Sequence, residues 1–479
     1  MVSQALQRES RSAEAAGASH LIAALSALSR AELEALQFAK LKRQLARVYA
    51  QNGFYRTRFD EAGVKPDEIR SLAEFRARVP TMGKRDCLAD QEICPPFGQR
   101  VGVPREDVVL MNLTGGTSGQ GQEIYGRTNH DVALQGHLHY LPWYMAGLRR
   151  GDSALNCVPA GGLTTGGWGP TEGFRVAGAT SYPVGGVTST EAKIDLMRRF
   201  REFHFVYAST SYLHTLTEAF RRKGIDPKAE FPMLRTLFIA AEPYPVEWAQ
   251  RIEAFWGAKL HEGYGSTQGA GFIAGTCENG AIQGNARGVM LVFEWHQLVE
   301  IVNPETMALV APGEEGEIVL TNLDIVGSPV IRFRTGDKGR YIPPGAGPSG
   351  RNWIGIEAGT IGRIDDMMKI RGNNMWPSAV DNVVFRSDKV WEYAGRVFTD
   401  DHGRTQVELR LAFKGGVSFA TEAERAAFLQ GLAAELKQTT NIAMQIAVVH
   451  RSELPSYEYK SRRWTDERAE GFRTGELSK

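Results

Sequence analysis

The sequence predicts an α/β protein: a large N-terminal domain with mainly parallel sheets and a small β subdomain, followed by a smaller α+β C-terminal domain. Three observations point there. Between residues 150 and 270, short β-branched or aromatic runs alternate with amphipathic stretches, the order expected of βα units and a largely parallel sheet. After residue 290, strand-like runs follow one another with only turns between them. The chain has 479 residues, more than one hydrophobic core usually serves.

Taken in order, Leu21, Ile22, Leu25, Leu28, Leu33, Leu36, Phe38, Leu41, Leu45 and Val48 recur with helical spacing and predict a helical lead-in over residues 20–50. SALNCVPA, EAKIDLMRRFREF, FVYAST, SYLHTLTEAFRRKG and LRTLFIAAEP then alternate strand and helix. LVEIVNPET, EGEIVLTNL and VIRFRTGD predict antiparallel strands forming a small β-rich subdomain attached to the α/β part. After the Pro/Gly loop YIPPGAGPSGRN comes GRIDDMMKIRG, which places a domain boundary near Asp365. The predicted domains are residues 1–364 and 365–479.

Composition excludes several classes. Hydrophobic residues make up 42% and charged residues 23% of the chain, ordinary globular usage, and the formal net charge of +1 offers no electrostatic case for nucleic acid or an anionic membrane. Cys87, Cys94, Cys157 and Cys277 are too few and too scattered for a disulfide framework. The run HLIAALSALS follows Arg8, Glu9, Arg11 and Glu14 without a basic segment, and no run approaches the ~18 apolar residues of a membrane helix. A soluble cytoplasmic protein is the expectation.

The stretch NLTGGTSGQGQEIYGRT, residues 112–128, carries five glycines. Such a loop brings backbone N–H groups close to an anion, and Thr114, Thr117 and Ser118 add hydroxyl donors. Phosphate is a suitable guest, although no GK[ST] follows and no GxGxxG opens a helix. By itself the loop is as compatible with a mobile turn.

Further motifs follow in order: AAEPYP (240–245), HEGYGSTQGAG (261–271), RFRTGD (332–337), GRIDDMMKIRGNNMWPSAVDNVV (362–384) and YEYKSRR (457–463). With the glycine-rich loop they resemble the adenylate-forming superfamily of acyl-CoA synthetases, and more narrowly its phenylacetate-CoA ligase-like branch. The resemblance runs from VYAQNGFYRTRFDEAG to the C-terminus. It implies an acid–thiol ligase using ATP, Mg²⁺ and CoA: a carboxylate joins AMP with release of pyrophosphate, and a thiol then displaces AMP. That chemistry calls for preorganised donors and positive charge rather than a covalent protein nucleophile.

By this resemblance Thr114, Gly115, Gly116, Thr117, Ser118 and Gly119 hold the β- and γ-phosphates of ATP. Ala241, Glu242 and Pro243 pass beside the adenine, and Tyr264, with Gly265 and Ser266 after it, stacks on the base. Thr267 donates to the α-phosphate. Asp337 accepts from the ribose hydroxyls, with Arg363 nearby. Asp365 is the hinge about which the C-terminal domain turns between half-reactions, and Lys460 balances charge as the carboxylate attacks. Read locally, Tyr264 could be core packing, Asp337 a turn residue, and Lys460 part of a solvated basic tail. The acyl pocket implied by the branch involves Gly162, Leu163, Gly166, Trp168, Ser211, Tyr212 and Ala240, and its small residues suit a flat aromatic acid. Thr164, Thr165 and Ser211 hint at a polar substituent.

Three departures from the pattern stand out. The usual SSGTTGKP is TGGTSGQG here, so Gln120 and Gly121 replace Lys and Pro, with Arg127 as a candidate substitute charge. The glutamate of YGxxE, which helps bind Mg²⁺, is Gln268, a weaker ligand for a hard dication. A Cys/His zinc site common in the branch retains Cys277 and His296, but IPPGAGPSGRN has no cysteine; structural zinc is not expected, and Cys277 is expected to be half-buried. An acyl carrier protein thiol or an amine as acceptor, a second copy of the chain as partner, and a non-catalytic nucleotide-binding homologue all remain open.

Overall fold

The computed structural model describes residues 20–114, 121–186, 188–240, 242–364, 366–371, 373–400, 402–455 and 463–468. Its first long helix, α1 (Arg30–Gln51), starts where Ser29 and Glu32 cap it reciprocally: the Ser29 N–H donates to the Glu32 carboxylate at 2.8 Å and the Glu32 N–H to Ser29 Oγ at 3.3 Å. Leu33, Leu41, Leu45 and Val48 bury the face that the spacing predicts.

A two-stranded hairpin follows, β1 (Leu110–Leu113) and β2 (Ile124–Arg127), with Leu113 opposite Ile124. The glycine-rich stretch is therefore the connection between paired strands. Beyond helix α2 (Asn129–Met145) come β3 (Ser153–Pro159), α3 (Thr165–Ala177), β4 (Thr180–Gly185), α4 (Thr190–Phe200), β5 (Phe205–Ser209), α5 (Thr210–Arg222), β6 (Thr236–Ala240), α6 (Val246–Trp256) and β7 (Lys259–Ser266). These strands are parallel in the order β4-β3-β5-β6-β7, as the alternating pattern predicts.

Period-two alternation divides the core. Tyr207 and Phe238 face one side with Trp143 of α2 and Phe174 of α3, whereas Val206, Leu237 and Ile239 face the other with Ile194, Leu216 and Trp248 of α4, α5 and α6. The order in which strands are added reverses between β3 and β5, so the loops after those strands flank a crevice at the carboxyl edge, where open α/β sheets take ligands.

The strands beyond residue 270 continue this sheet rather than forming a separate one. β8 (Gly271–Thr276) pairs antiparallel with β7. After a small hairpin, β9 (Ile282–Gln283) and β10 (Ala286–Arg287), β11 (Val289–Val292) pairs with β8 and with β15 (Gly355–Glu357). β15 joins β14 (Phe333–Ile342), which continues through β13 (Glu315–Asn322) to β12 (Gln297–Val302). The result is one twelve-stranded sheet, with β16 (Gly362–Arg363) paired to β14.

After residue 366 a separate apolar core gathers Ile370, Val380, Val384, Tyr393, Leu409, Leu411 and Leu436. It sits among a four-stranded sheet (Val390–Thr399, Thr405–Phe413, Gln445–Val448, Trp464–Asp466) and the helices Pro377–Val384 and Glu422–Thr440. His214 Nε2 lies 2.9 Å from the Trp391 carbonyl, and Arg251 Nη2 donates to that of Phe385 at 2.7 Å, so the two parts of the chain touch. Among the described residues no helix is long and apolar enough to cross a membrane.

Candidate active site

Several of the predicted residues that are described lie at the carboxyl edge of the parallel strands. Gly162 and Gly166 follow β3, Ser211 follows β5, Ala240 ends β6, and Tyr264, Gly265 and Ser266 end β7. Gly265 is required by close approach: a Cβ there would lie 2.6 Å from the Gly271 carbonyl oxygen.

Glu242 anchors the turn after β6. Its carboxylate accepts from the Ser211 N–H at 2.8 Å and the Ser211 hydroxyl at 2.7 Å, and its carbonyl from Thr210 Oγ1 at 3.1 Å. An anion at the amino end of α5 satisfies otherwise unpaired N–H groups. The clamp holds the Pro243 turn against the loop after β5.

Tyr264, Asp337 and Arg363 form one constellation. The buried Tyr264 hydroxyl donates to Asp337 Oδ2 at 2.8 Å, and Arg363 Nη1 donates to Asp337 Oδ1 at 2.9 Å and to the Thr335 carbonyl at 3.0 Å. Burial, then the adjacent carboxylate, raises the Tyr264 phenol well above its ordinary range, so it remains a donor. Cross-strand pairing of β14 with β16 sets Asp337 opposite Arg363. Gly336 has φ +70°, and a Cβ there would lie 3.2 Å from Arg363 Nη2, which explains glycine in TGD.

At the base of the glycine-rich connection, the Thr114 N–H donates to the Glu123 carbonyl at 3.1 Å and the Glu123 N–H to Thr114 Oγ1 at 3.0 Å. The buried Glu123 carboxylate accepts from Gln268 Nε2 at 3.1 Å and from the Tyr125 hydroxyl at 3.3 Å. Sequence reasoning missed this carboxylate. Its signal, an acidic residue closing a glycine-rich loop opposite a glutamine that replaces a glutamate, depends on a contact spanning 145 residues.

Arg127 corrects an expectation. It is fully buried, with Nη2 donating to the Thr267 carbonyl at 2.5 Å and Nε to Asn112 Oδ1 at 3.4 Å, while Nη1 has no hydrogen-bond partner among the described residues. Its guanidinium secures the Thr267 peptide instead of presenting a charge at the loop opening.

Of the acyl-pocket residues, Ala240 packs on the sheet face covered by α2 and α3, whereas Tyr212 is buried on the opposite face with Lys193 4.3 Å over its ring. Leu163 and Trp168 are 55% and 45% exposed, at the rim. Gly115, Gly116, Thr117, Ser118, Gly119, Ala241, Asp365 and Lys460 lie outside the described residues.

Cys277 is fully buried at 1% exposure, not half-buried: it joins the apolar layer with Trp295 and Trp353. His296 Nδ1 sits 2.6 Å from Asp324 Oδ2, which Lys40 also contacts at 2.6 Å. No group of three or more His, Cys, Asp or Glu side chains converges on a metal position among the described residues.

The model of the AMP-binding enzyme family matches residues 6–325, and that of the AMP-binding enzyme C-terminal domain matches residues 372–468. The chain belongs to the AMP-binding enzyme family. Among relatives of this AMP-binding enzyme, the phenylacetate-coenzyme A ligase of Aromatoleum evansii is 33% identical over 376 residues, covering 78% of this chain and 80% of the relative. That of Escherichia coli (strain K12) is 30% identical over 436 residues, covering 91% and 95%. A 2-hydroxyisobutyryl-CoA ligase in its postadenylation state with 2-HIB-AMP overlays with TM-score 0.81 at 25% identity, covering 93% of this chain and 92% of that one. In its thioesterification state with 2-HIB-AMP and CoA, the TM-score is 0.66 at 26% identity, over 94% and 92%. Over the whole chain the overlay is thus nearer the former structure than the latter.

Proposed function

We infer that this protein is an AMP-forming acid–CoA ligase that converts an aryl carboxylic acid to an acyl-adenylate and then to the CoA thioester, releasing pyrophosphate and AMP. The observation carrying this reading is the convergence of the Tyr264–Asp337–Arg363 constellation, the Glu242 clamp and Thr267 at the carboxyl edge of a parallel sheet. The relatives named phenylacetate-coenzyme A ligase support the aryl class of acid.

In this proposal Asp337 accepts from the ribose hydroxyls, held in place by Tyr264 and Arg363. Thr267 donates to the α-phosphate from a peptide that Arg127 immobilises, and residues 114–119 take the pyrophosphate end through N–H and hydroxyl donors. Tyr264 and the Glu242–Pro243 turn border the adenine. Lys460 supplies positive charge to the adenylation step, and residues 365–479 turn about Asp365 to bring CoA to the adenylate. Cytoplasmic location is proposed from four unpaired cysteines and balanced charge.

Mg²⁺ fits in a restricted way. The Glu123 carboxylate beside Gln268 is a hard anionic oxygen donor, while the lack of a converging group among the described residues suits an ion held largely by phosphate and water. When bound, Mg²⁺ neutralises phosphate charge. Placing the carboxylate on Glu123 offsets the neutral amide at position 268.

The test is a panel of aromatic and aliphatic acids incubated with ATP and Mg²⁺, with and without CoA, and read by mass. Aryl acids should give acyl-AMP without CoA and acyl-CoA with it. Acyl-AMP left unconsumed by CoA would redirect the second step to a carrier-protein thiol or an amine. ATP binding without any acid-dependent product would overturn the reading.

A further inference from the structure

Between α2 and the first turn of α3 lie three buried polar side chains that the adenylation chemistry does not use. Gln135, His139 and Thr165 are 1%, 3% and 3% exposed. Gln135 Nε2 reaches the Thr165 carbonyl at 3.4 Å, but Gln135 Oε1 and Thr165 Oγ1 have no hydrogen-bond partner among the described residues. His139 bonds through Nδ1 to the Gln135 carbonyl at 2.8 Å. A carbonyl only accepts, so Nδ1 carries the proton and Nε2 presents a lone pair. Burial pushes the imidazole pKa down to about 4, which keeps the ring neutral at neutral pH.

Buried polar atoms without partners are uncommon and destabilising unless something else completes them. Two of them, beside an imidazole lone pair on adjoining helices, call for a ligand. Their position identifies which one. His139 packs against Phe272, ring centroids 5.1 Å apart, in the apolar layer that also takes Ala240 at the end of β6. A Cβ at Gly169 would lie 2.0 Å from His139 Cε1, so the imidazole backs directly onto the glycine-rich start of α3. The Ala146 carbonyl just after α2 accepts from Thr236 Oγ1 at the start of β6, so α2 ends at the amino edge of the sheet, and Gln135 is nearer the carboxyl edge than His139, one turn on.

We propose that Gln135, His139 and Thr165 select acids carrying a hydroxyl or amino substituent on the ring, at the end remote from the carboxylate. A hydroxyl substituent donates its one proton to His139 Nε2 or Gln135 Oε1, an amino substituent donates to both, and the Thr165 hydroxyl completes the set as donor or acceptor. This rests on the aryl-acid ligase reading above and narrows its substrate class. A methyl group of similar size fills the same space but leaves the acceptors unpaired.

The experiment measures kcat/KM for acyl-adenylate formation with benzoate, its 3- and 4-hydroxy and 3- and 4-amino derivatives, and the matching methylbenzoates. The best hydroxy or amino acid should exceed its methyl counterpart by about tenfold or more, as expected for a buried hydrogen bond. In His139→Phe and Gln135→Leu singly that ratio should fall, and in the double variant it should come within about threefold of one, because both acceptors are gone. ATP binding measured by calorimetry reports whether each variant is folded, and Thr165→Val, which replaces only the hydroxyl by a methyl, serves if the others fold poorly. A wild-type preference for methyl or unsubstituted acids would mean that these atoms hold only water, and would overturn the proposal while leaving the ligase reading intact. A ratio unchanged in folded variants would also overturn it. Absence of acyl-adenylate from every acid would instead sink the ligase reading itself.

Discussion

Exchanging the carboxylate and amide at positions 123 and 268 separates a charge requirement from a positional one. In the native pair Gln268 Nε2 donates to Glu123 Oε1 at 3.1 Å, leaving one negative charge. Gln268→Glu alone puts two carboxylates at that separation, where Coulomb repulsion is about 5 kcal/mol at an effective dielectric of ~20. That repulsion offsets what a second anionic oxygen adds toward the ion, so activity at pH 7 should change little. Glu123→Gln alone removes the charge, and the apparent affinity for Mg²⁺ in pyrophosphate exchange should fall roughly 10- to 100-fold, the usual cost of losing a supporting carboxylate. The double variant, Glu123→Gln with Gln268→Glu, restores one charge and one hydrogen bond with the roles reversed and should recover most of that loss. The assay is the Mg²⁺ dependence of acid-driven pyrophosphate exchange in all four proteins. If Glu123→Gln leaves the Mg²⁺ dependence unchanged, or the double variant is no better than Glu123→Gln, the carboxylate has no part in holding the ion.

Two further outcomes follow from the same geometry. Asp337→Asn keeps the shape but removes the charge that receives Tyr264 and Arg363; replacing charge-assisted bonds to ribose by neutral ones should raise KM for ATP about 10- to 100-fold with a smaller change in kcat, and a KM within twofold of wild type would remove Asp337 from nucleotide binding. Burial raises Glu262 from 4.5 to about 7, while the Tyr244 hydroxyl and Gly359 N–H bonds act in the opposite direction. Above pH 4.5 the unfolded chain releases this proton while the folded chain keeps it, so stability declines as pH rises from about 4.5 to about 7, by about 3 kcal/mol at most, and then levels. Glu262→Gln accepts the same two hydrogen bonds without titrating and should flatten that slope in denaturant melts across pH; an unchanged slope would show that another group sets it.

What was legible in the sequence is what local pattern encodes. The alternation from SALNCVPA to LRTLFIAAEP specified parallel strands because each run buries both faces against helices, with neighbours such as Val206 and Tyr207 turned to opposite layers. The motifs were equally visible, since Gly336 and Gly265 stand where a left-handed backbone or a close approach admits little else.

Contacts formed across long separations were not legible. Continuity of the twelve-stranded sheet depends on β11 and β15, strands of four and three residues whose pairing no local pattern announces. Ser211 and Tyr212 are neighbours in sequence, yet one grips Glu242 at the crevice and the other is buried on the far face of the sheet. Arg127 looks like an available charge until the strand carrying it is seen to point it inward, at the Thr267 carbonyl. Glu123 looks like an ordinary polar flank until β1–β2 pairing and the turn after β7 bring Gln268 to it. These last two residues share a cause. The loop carries no lysine and the YGxxE position no glutamate, and the hairpin brings Arg127 and Glu123 in beside these motifs from outside them, one on the Thr267 carbonyl and the other on Gln268. A motif compared position by position records two losses; the folded hairpin sets the Glu123 carboxylate one contact from position 268, and the four-protein comparison of positions 123 and 268 is what distinguishes a lost function from a relocated one.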